Sequence, residues 1–318
     1  MKRSLLLLLC LCCASLLSAQ EKALEITYET LSELPYYEPD KLAQANEYQK
    51  SQCRLDLYYP KDQPGFSTYI WLHGGGLTAG KRFLPDLKNQ KIALVAVSYR
   101  LSPKVKSPAY LEDTAAATAW VLRHIAEYGG DPKRVFLGGH SAGGYLAAMV
   151  GMDPRWLAAE GLQNTDLAGL IPVSAQVTTH FNIRAERGDT TSKFIPVIDE
   201  FAPLQYAGGK VPPICLITGD RRIEYKARVE ENEFLYASMR AMGNETVEFY
   251  ELGGIDHETV TKPSAVVAKT FIKKIDGSAA AEAAAKAEAK ARKARETGSV
   301  PVGPLEPGQG TSTPFLVP

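Results

Sequence analysis

Cysteine is scarce along most of this chain: of five in 318 residues, three fall within the first 19 positions, and only Cys53 and Cys215 lie beyond. Two cysteines make at most one disulfide, which excludes a small scaffold held together by several bridges. Cys215 sits in the strand-like run PPICLITG, where a free thiol behaves as a small hydrophobe, so two inert thiols are expected. An excess of charge of either sign is also missing, because 36 Lys and Arg balance 36 Asp and Glu. With no basic face in the middle region, nucleic acid is excluded as a partner. Histidines number five, and no clustered His, Cys or carboxylate spacing resembles a metal site. Neither a metal nor an organic cofactor is expected, and there is no internal repeat.

Long apolar runs are confined to the amino terminus. MKRSLLLLLCLCCASLLSAQ has a basic start, an apolar stretch too short for a comfortable membrane span, and small residues at Ser18 and Ala19. That is the pattern of a secretory signal peptide over residues 1–19, with Gln20 as the first mature residue. The expectation is a secreted or periplasmic protein without stable membrane insertion after cleavage. At the other end, residues 277–318 read as a tail. From Ser278 it is almost entirely Ala, Glu, Lys and Arg, a solvated helix with no apolar stripe, and then a Pro- and Gly-rich stretch.

Residues 20–276 are enough for one large α/β domain. Strand-length apolar runs, CRLDLYYP, STYIWLHG, KIALVAVSY, RVFLGG, LAGLIPVSA, PPICLITG and TVEFYEL, alternate with helix-like segments such as YLEDTAAATAWVLRHIAEYG, AGGYLAAMVG and ARVEENEFLYASMRAMG. This alternation predicts a mostly parallel sheet flanked by helices. Ligands of such sheets gather beyond the carboxyl ends of the strands, so residues just after each strand carry the functional weight.

Two motifs fall there. Gly139-His140-Ser141-Ala142-Gly143 fits G-x-S-x-G, in which a sharp turn between strand and helix pushes a serine hydroxyl out at the top of the sheet. His73-Gly74-Gly75-Gly76 follows another strand, and backbone without side chains can turn N–H groups toward a developing oxyanion. Gly75, Gly76 and Ala142 are the expected donors, and His73 is expected to shape the loop. A serine nucleophile needs a base. His124 falls on a helix, His140 is expected to point away from the site, and His180 follows the strand before the acid. His257, in the loop after the last strand, comes last in the order serine, acid, histidine and is the expected base. Two acids follow PPICLITG. Asp220, adjacent to the strand end, is preferred; Glu224, four residues further, is the alternative, and Asp256 is a weaker one.

The segments RLDLYYP, WLHGGG, VAVSYRLSP, YLEDTAAATAWVLRHIAEYGGDP and GGHSAGG, in this order and spacing, resemble the α/β-hydrolase superfamily in its HGGG-bearing esterase and lipase branch, related to hormone-sensitive-lipase-like and feruloyl or acetylxylan esterase-like enzymes. The resemblance covers about residues 50 to 275 and implies an eight-stranded, mostly parallel sheet. It also implies a triad acid three residues after the glycine that ends PPICLITG, a position held here by Arg222.

The reading that results is a serine carboxylic-ester hydrolase working through an acyl-enzyme, with Ser141 as nucleophile, His257 as base and Asp220 as acid. Little chain separates Ser141 from Asp220, so any lid is small. This favours short acyl groups, acetyl or feruloyl, on small-molecule or polysaccharide-linked esters. Tyr145, His180 and Phe181 are the expected pocket residues. A peptidase or amidase using the same triad, and a silent binding protein of the same fold, are the alternatives.

Overall fold

The computed structural model describes residues 26–296. The expected signal peptide and the Pro- and Gly-rich end of the tail lie outside the described residues. The described residues fall into two units that divide between Ile275 and Asp276. The first holds an eight-stranded sheet: β1 (Tyr28–Pro35), β2 (Arg54–Pro60), β3 (Phe66–Leu72), β4 (Ile92–Val97), β5 (Gly130–His140), β6 (Gly169–Val173), β7 (Ile214–Thr218) and β8 (Val247–Glu251). The helices are α1 (Pro39–Gln44), α2 (Glu47–Gln52), α3 (Ala109–His124), α4 (Ala142–Met152), α5 (Pro154–Ala158), α6 (Phe181–Glu186), α7 (Arg228–Ala241) and α8 (Thr261–Glu296).

Strand order is β1-β2-β4-β3-β5-β6-β7-β8. β1 and β2 run antiparallel to their neighbours, and β4, β3, β5, β6, β7 and β8 pair in parallel. Strands β3, β4, β6 and β7 are buried along their whole length because both faces are covered. Alternate residues feed two separate cores. Ile70, Leu72, Val135, Leu137, Ile214 and Leu216 join the core that includes Tyr145, Leu146 and Met149 of α4. Tyr69, Trp71, Phe136, Cys215 and Ile217 join the other, closed by Ala265, Ala268, Phe271 and Ile272 of α8. Cys53 belongs to the first core and Cys215 to the second, both as free, buried thiols.

Besides the short helices α1, α2, α5 and α6, two elements differ from the sequence expectation. β1 was not expected; it is an edge strand whose residues are half-buried or exposed, so its sequence lacks an apolar run. Helix α8 begins at Thr261, well before the Ser278 at which a helix was expected. Its first turns are amphipathic, with Ala265, Ala268 and Ile272 buried along one face.

Candidate active site

The carboxyl ends of β3, β5, β6, β7 and β8 meet around one cavity of about 520 Å³, within the range of small-molecule sites. At the end of β5 the backbone turns sharply. Ser141 has φ 53° and ψ −116°, a strained conformation for a residue with a side chain, and its N–H donates to the Val173 carbonyl of β6 at 2.8 Å. The turn is possible because its flanks are glycine. A Cβ on Gly139 would lie 2.6 Å from the Leu72 carbonyl oxygen, and one on Gly143 would lie 2.5 Å from that of His73. Helix α4 therefore starts in contact with the end of β3, and the Ser141 side chain is lifted into the cavity wall.

The Ser141 hydroxyl lies 2.9 Å from Nε2 of His257, and Nδ1 of His257 lies 2.5 Å from Oε1 of Glu224. His257 sits in the loop after β8, and Glu224 in the turn after β7. The expectation for the acid is thus corrected: Glu224, not Asp220, faces the imidazole. The reason is a single helical turn after β7, in which the Glu224 N–H donates to the Asp220 carbonyl at 2.8 Å. Four residues carry the second acid one turn further, into the site. Asp220 stays at the base of the turn, pairing with the Arg222 guanidinium and accepting from the Gly254 amide at 2.7 Å. These contacts hold its carboxyl well below the ordinary carboxylate range, Arg222 contributing most. Asp220 thereby fixes the loop that carries His257, while Asp256 accepts from Thr259 in that loop.

The Glu224 carboxylate is almost fully buried. Burial alone would raise its pKa, but hydrogen bonds outweigh this and hold it down at about 2: from His257, from the Ser174 hydroxyl at 2.7 Å and from the Tyr225 amide at 2.7 Å. The Gly219 amide adds a fourth donor at 2.9 Å. Gly219 is needed there, because a Cβ would stand 2.8 Å from Oε2 of Glu224. Ser174, unremarked in the sequence, stands just after β6; its place at a strand's carboxyl end was the available signal.

The loop after β3 forms the facing wall, with Gly75 at φ 110° and Gly76 at φ 62° both lining the cavity. Among the described residues, the N–H groups of Gly75, Gly76 and Ala142 have no acceptor. The Gly76 carbonyl is anchored by the Asn182 side chain of α6. His73 is buried beneath the loop, stacked on Tyr99 at 4.4 Å, with Nδ1–H donating to the Gly74 carbonyl at 2.7 Å. It shapes the loop, and burial lowers its pKa. His140 does not point away as expected. It lines the cavity and donates from Nε2 to the His257 carbonyl at 2.8 Å, bracing the loop of the base. Burial, helped by His257, lowers its pKa to about 4.

Of the three expected pocket residues, Phe181 lines the cavity. Tyr145 and His180 are buried behind it, their rings 5.1 Å apart, with the Tyr145 hydroxyl donating to the Phe201 carbonyl. Tyr225 and Arg228, which drew no attention in the sequence, complete the wall. Among the described residues no group of His, Cys, Asp and Glu side chains is arranged to hold a metal ion, and no helix is long and apolar enough to cross a membrane.

The BD-FAE family model matches residues 55–227, more than half of the chain. The chain belongs to the BD-FAE family. The match takes in the HGGG loop, Ser141 and Glu224 and stops just short of Arg228. Esterase LipC of Mycobacterium tuberculosis is 25% identical over 228 residues, 64% of this chain and 56% of that protein. The carboxylic ester hydrolase LipM of the same organism, described as probable, is 45% identical over 88 residues, 26% of this chain and 20% of that protein. This BD-FAE chain spans about half the length of LipC and less of LipM. Among solved structures, Esterase B from Lactobacillus Rhamnosis superposes with a TM-score of 0.64 at 19% identity, over 89% of this chain and 98% of that one. A truncated carbohydrate esterase from gut microbiota superposes with a TM-score of 0.59 at 15% identity, over 79% and 97%. These likenesses show the α/β-hydrolase fold.

Proposed function

We propose that this BD-FAE chain is a serine carboxylic-ester hydrolase with a Ser141–His257–Glu224 triad. The carrying observation is the pair of hydrogen bonds, 2.9 Å and 2.5 Å, that links Glu224 through His257 to a serine in the wall of a cavity shared with Gly75 and Gly76. Ser141 Oγ attacks the ester carbonyl carbon as its proton passes to His257 Nε2. Glu224 fixes the imidazole through Nδ1 and stabilises its charged form. The carbonyl oxygen becomes an oxyanion beside the amides of Gly75, Gly76 and Ala142. On collapse the C–O bond to the alcohol breaks, and the alcohol takes the Nε2 proton. Water, deprotonated by the same nitrogen, then releases the acid and restores Ser141.

The segment over the site, residues 174–213 between β6 and β7, holds one six-residue helix and a short 3₁₀ turn. A cap of that size suits acetyl, feruloyl and other short acyl groups, on free or polysaccharide-linked alcohols. The pattern of residues 1–19 supports export to a secreted or periplasmic location.

The test is turnover of aryl acetate and butyrate by the protein and by Ser141→Ala. The expected outcome is hydrolysis that falls by at least about 10³-fold in the variant. Equal turnover in both proteins removes Ser141 from the reaction.

A further inference from the structure

We propose that Arg228 makes the cavity beside Ser141 and His257 a carboxylate-recognition site, so that the preferred esters carry an anionic group. This rests on the esterase reading above. Arg228 opens α7 and lines the cavity with Tyr225, Phe181 and His257. Its residue is 5% exposed, and its Nε and Nη1 atoms are buried with no hydrogen-bond partner among the described residues. A guanidinium stays charged in proteins, and a buried charge is normally paired. This one is not.

The nearby acids are already committed. Glu224 accepts from His257, Ser174, Gly219 and Tyr225. Glu231 accepts from the Val177 amide at 3.2 Å and the Thr178 hydroxyl at 3.3 Å. Among the described residues neither forms an ion pair with Arg228. Burial lowers the Arg228 pKa, and Glu231 and Glu224 only partly offset it. The ring of Tyr225 holds the guanidinium carbon 5.4 Å from its centroid and the Lys193 ammonium at 5.1 Å. Lys81 is a second cation of the cavity wall, against one acid among the described residues that line it, Glu258. A substrate carboxylate would supply the partner that the fold withholds, and charge-assisted hydrogen bonds to guanidinium are strong and directional.

Matched ester pairs test this with the full chain. On the acyl side, mono-4-nitrophenyl succinate is compared with its methyl ester; on the alcohol side, 4-acetoxybenzoate with methyl 4-acetoxybenzoate. In one pair the anionic member is expected to have a kcat/KM at least about tenfold higher, through KM, with the advantage shrinking as salt is added. Arg228→Met should bring that ratio close to one, and Arg228→Lys should keep part of it. Free succinate should compete with the neutral esters. Ser141-dependent turnover of the neutral esters with no anionic preference in either pair overturns the proposal while leaving the esterase reading intact. A preference unchanged in Arg228→Met also overturns it, and absence of turnover on every ester removes both. If Arg228→Met fails to fold, the reduced ratio in Arg228→Lys carries the assignment, and a wild-type ratio of one still overturns the proposal.

Discussion

Four hydrogen bonds converge on the carboxylate of Glu224, one of them from the imidazole it orients. Glu224→Gln keeps the shape but loses the charge that favours the protonated histidine, so kcat should fall about 10³- to 10⁴-fold with the melting temperature little changed. Asp220→Asn should lower kcat by no more than about tenfold, because Asp220 holds the His257 loop from behind. Steady-state kinetics on the two variants decides, and the opposite ranking would return the acid to Asp220. The depressed pKa has a pH consequence. A carboxyl whose folded pKa is lowered to about 2 stays ionised until the pH falls that far, so Glu224 sets no limb of the activity profile above pH 4. Sequence spacing offered both acids but could not rank them, since the choice rests on a backbone hydrogen bond within residues 220–224. Ser141 and His257, by contrast, were legible: Ser141 from a motif that directly follows an apolar strand, and His257 from chain order and its place in the loop after the last strand.

At the scale of elements, the site is built by close approach of β3, β5 and α4. Gly143 stands where a methyl group would meet the His73 carbonyl oxygen at 2.5 Å. Gly143→Ala should therefore cost about 3 kcal/mol, the upper end of the usual overpacking range, and disturb the elbow, which chemical denaturation and ester turnover would report together. Full stability in that variant would show that the β3–α4 contact can relax. The seven strands from β2 to β8 were readable as strand-length runs, most of them bounded by Gly, Pro or polar residues. β1 was not, since an edge strand with residues such as Glu29 and Glu33 carries no burial pattern. The cavity wall was legible in part: Gly75, Gly76 and Phe181 were expected there, whereas Tyr225 and Arg228 follow β7 in a polar sequence that reads as helix surface.

For the whole molecule, three histidines are buried in neutral form. His140 is lowered to about 4 and His180 to about 3, each first by burial, and His73 shifts the same way. A histidine whose folded pKa is depressed binds its proton more readily when unfolded. Its contribution is full above the ordinary value near 6.5 and is lost as pH falls toward the folded value. Each can remove up to about 1.4 kcal/mol of stability per pH unit across that window. Melting temperature should thus fall steeply between pH 6.5 and pH 4, before most carboxylates titrate. Replacing His180 with Gln should flatten the slope; an unchanged slope would mean that the loss comes from other groups.

The two thiols have a consequence of another kind. Cys53 and Cys215 are sealed on opposite sides of the sheet, and burial pushes both well above the ordinary thiol range, leaving almost no thiolate to react. Neither can find the other, and neither invites an oxidant or an alkylating agent. The sheet domain therefore asks nothing of disulfide-forming machinery: glutathione or peroxide should leave it equally folded.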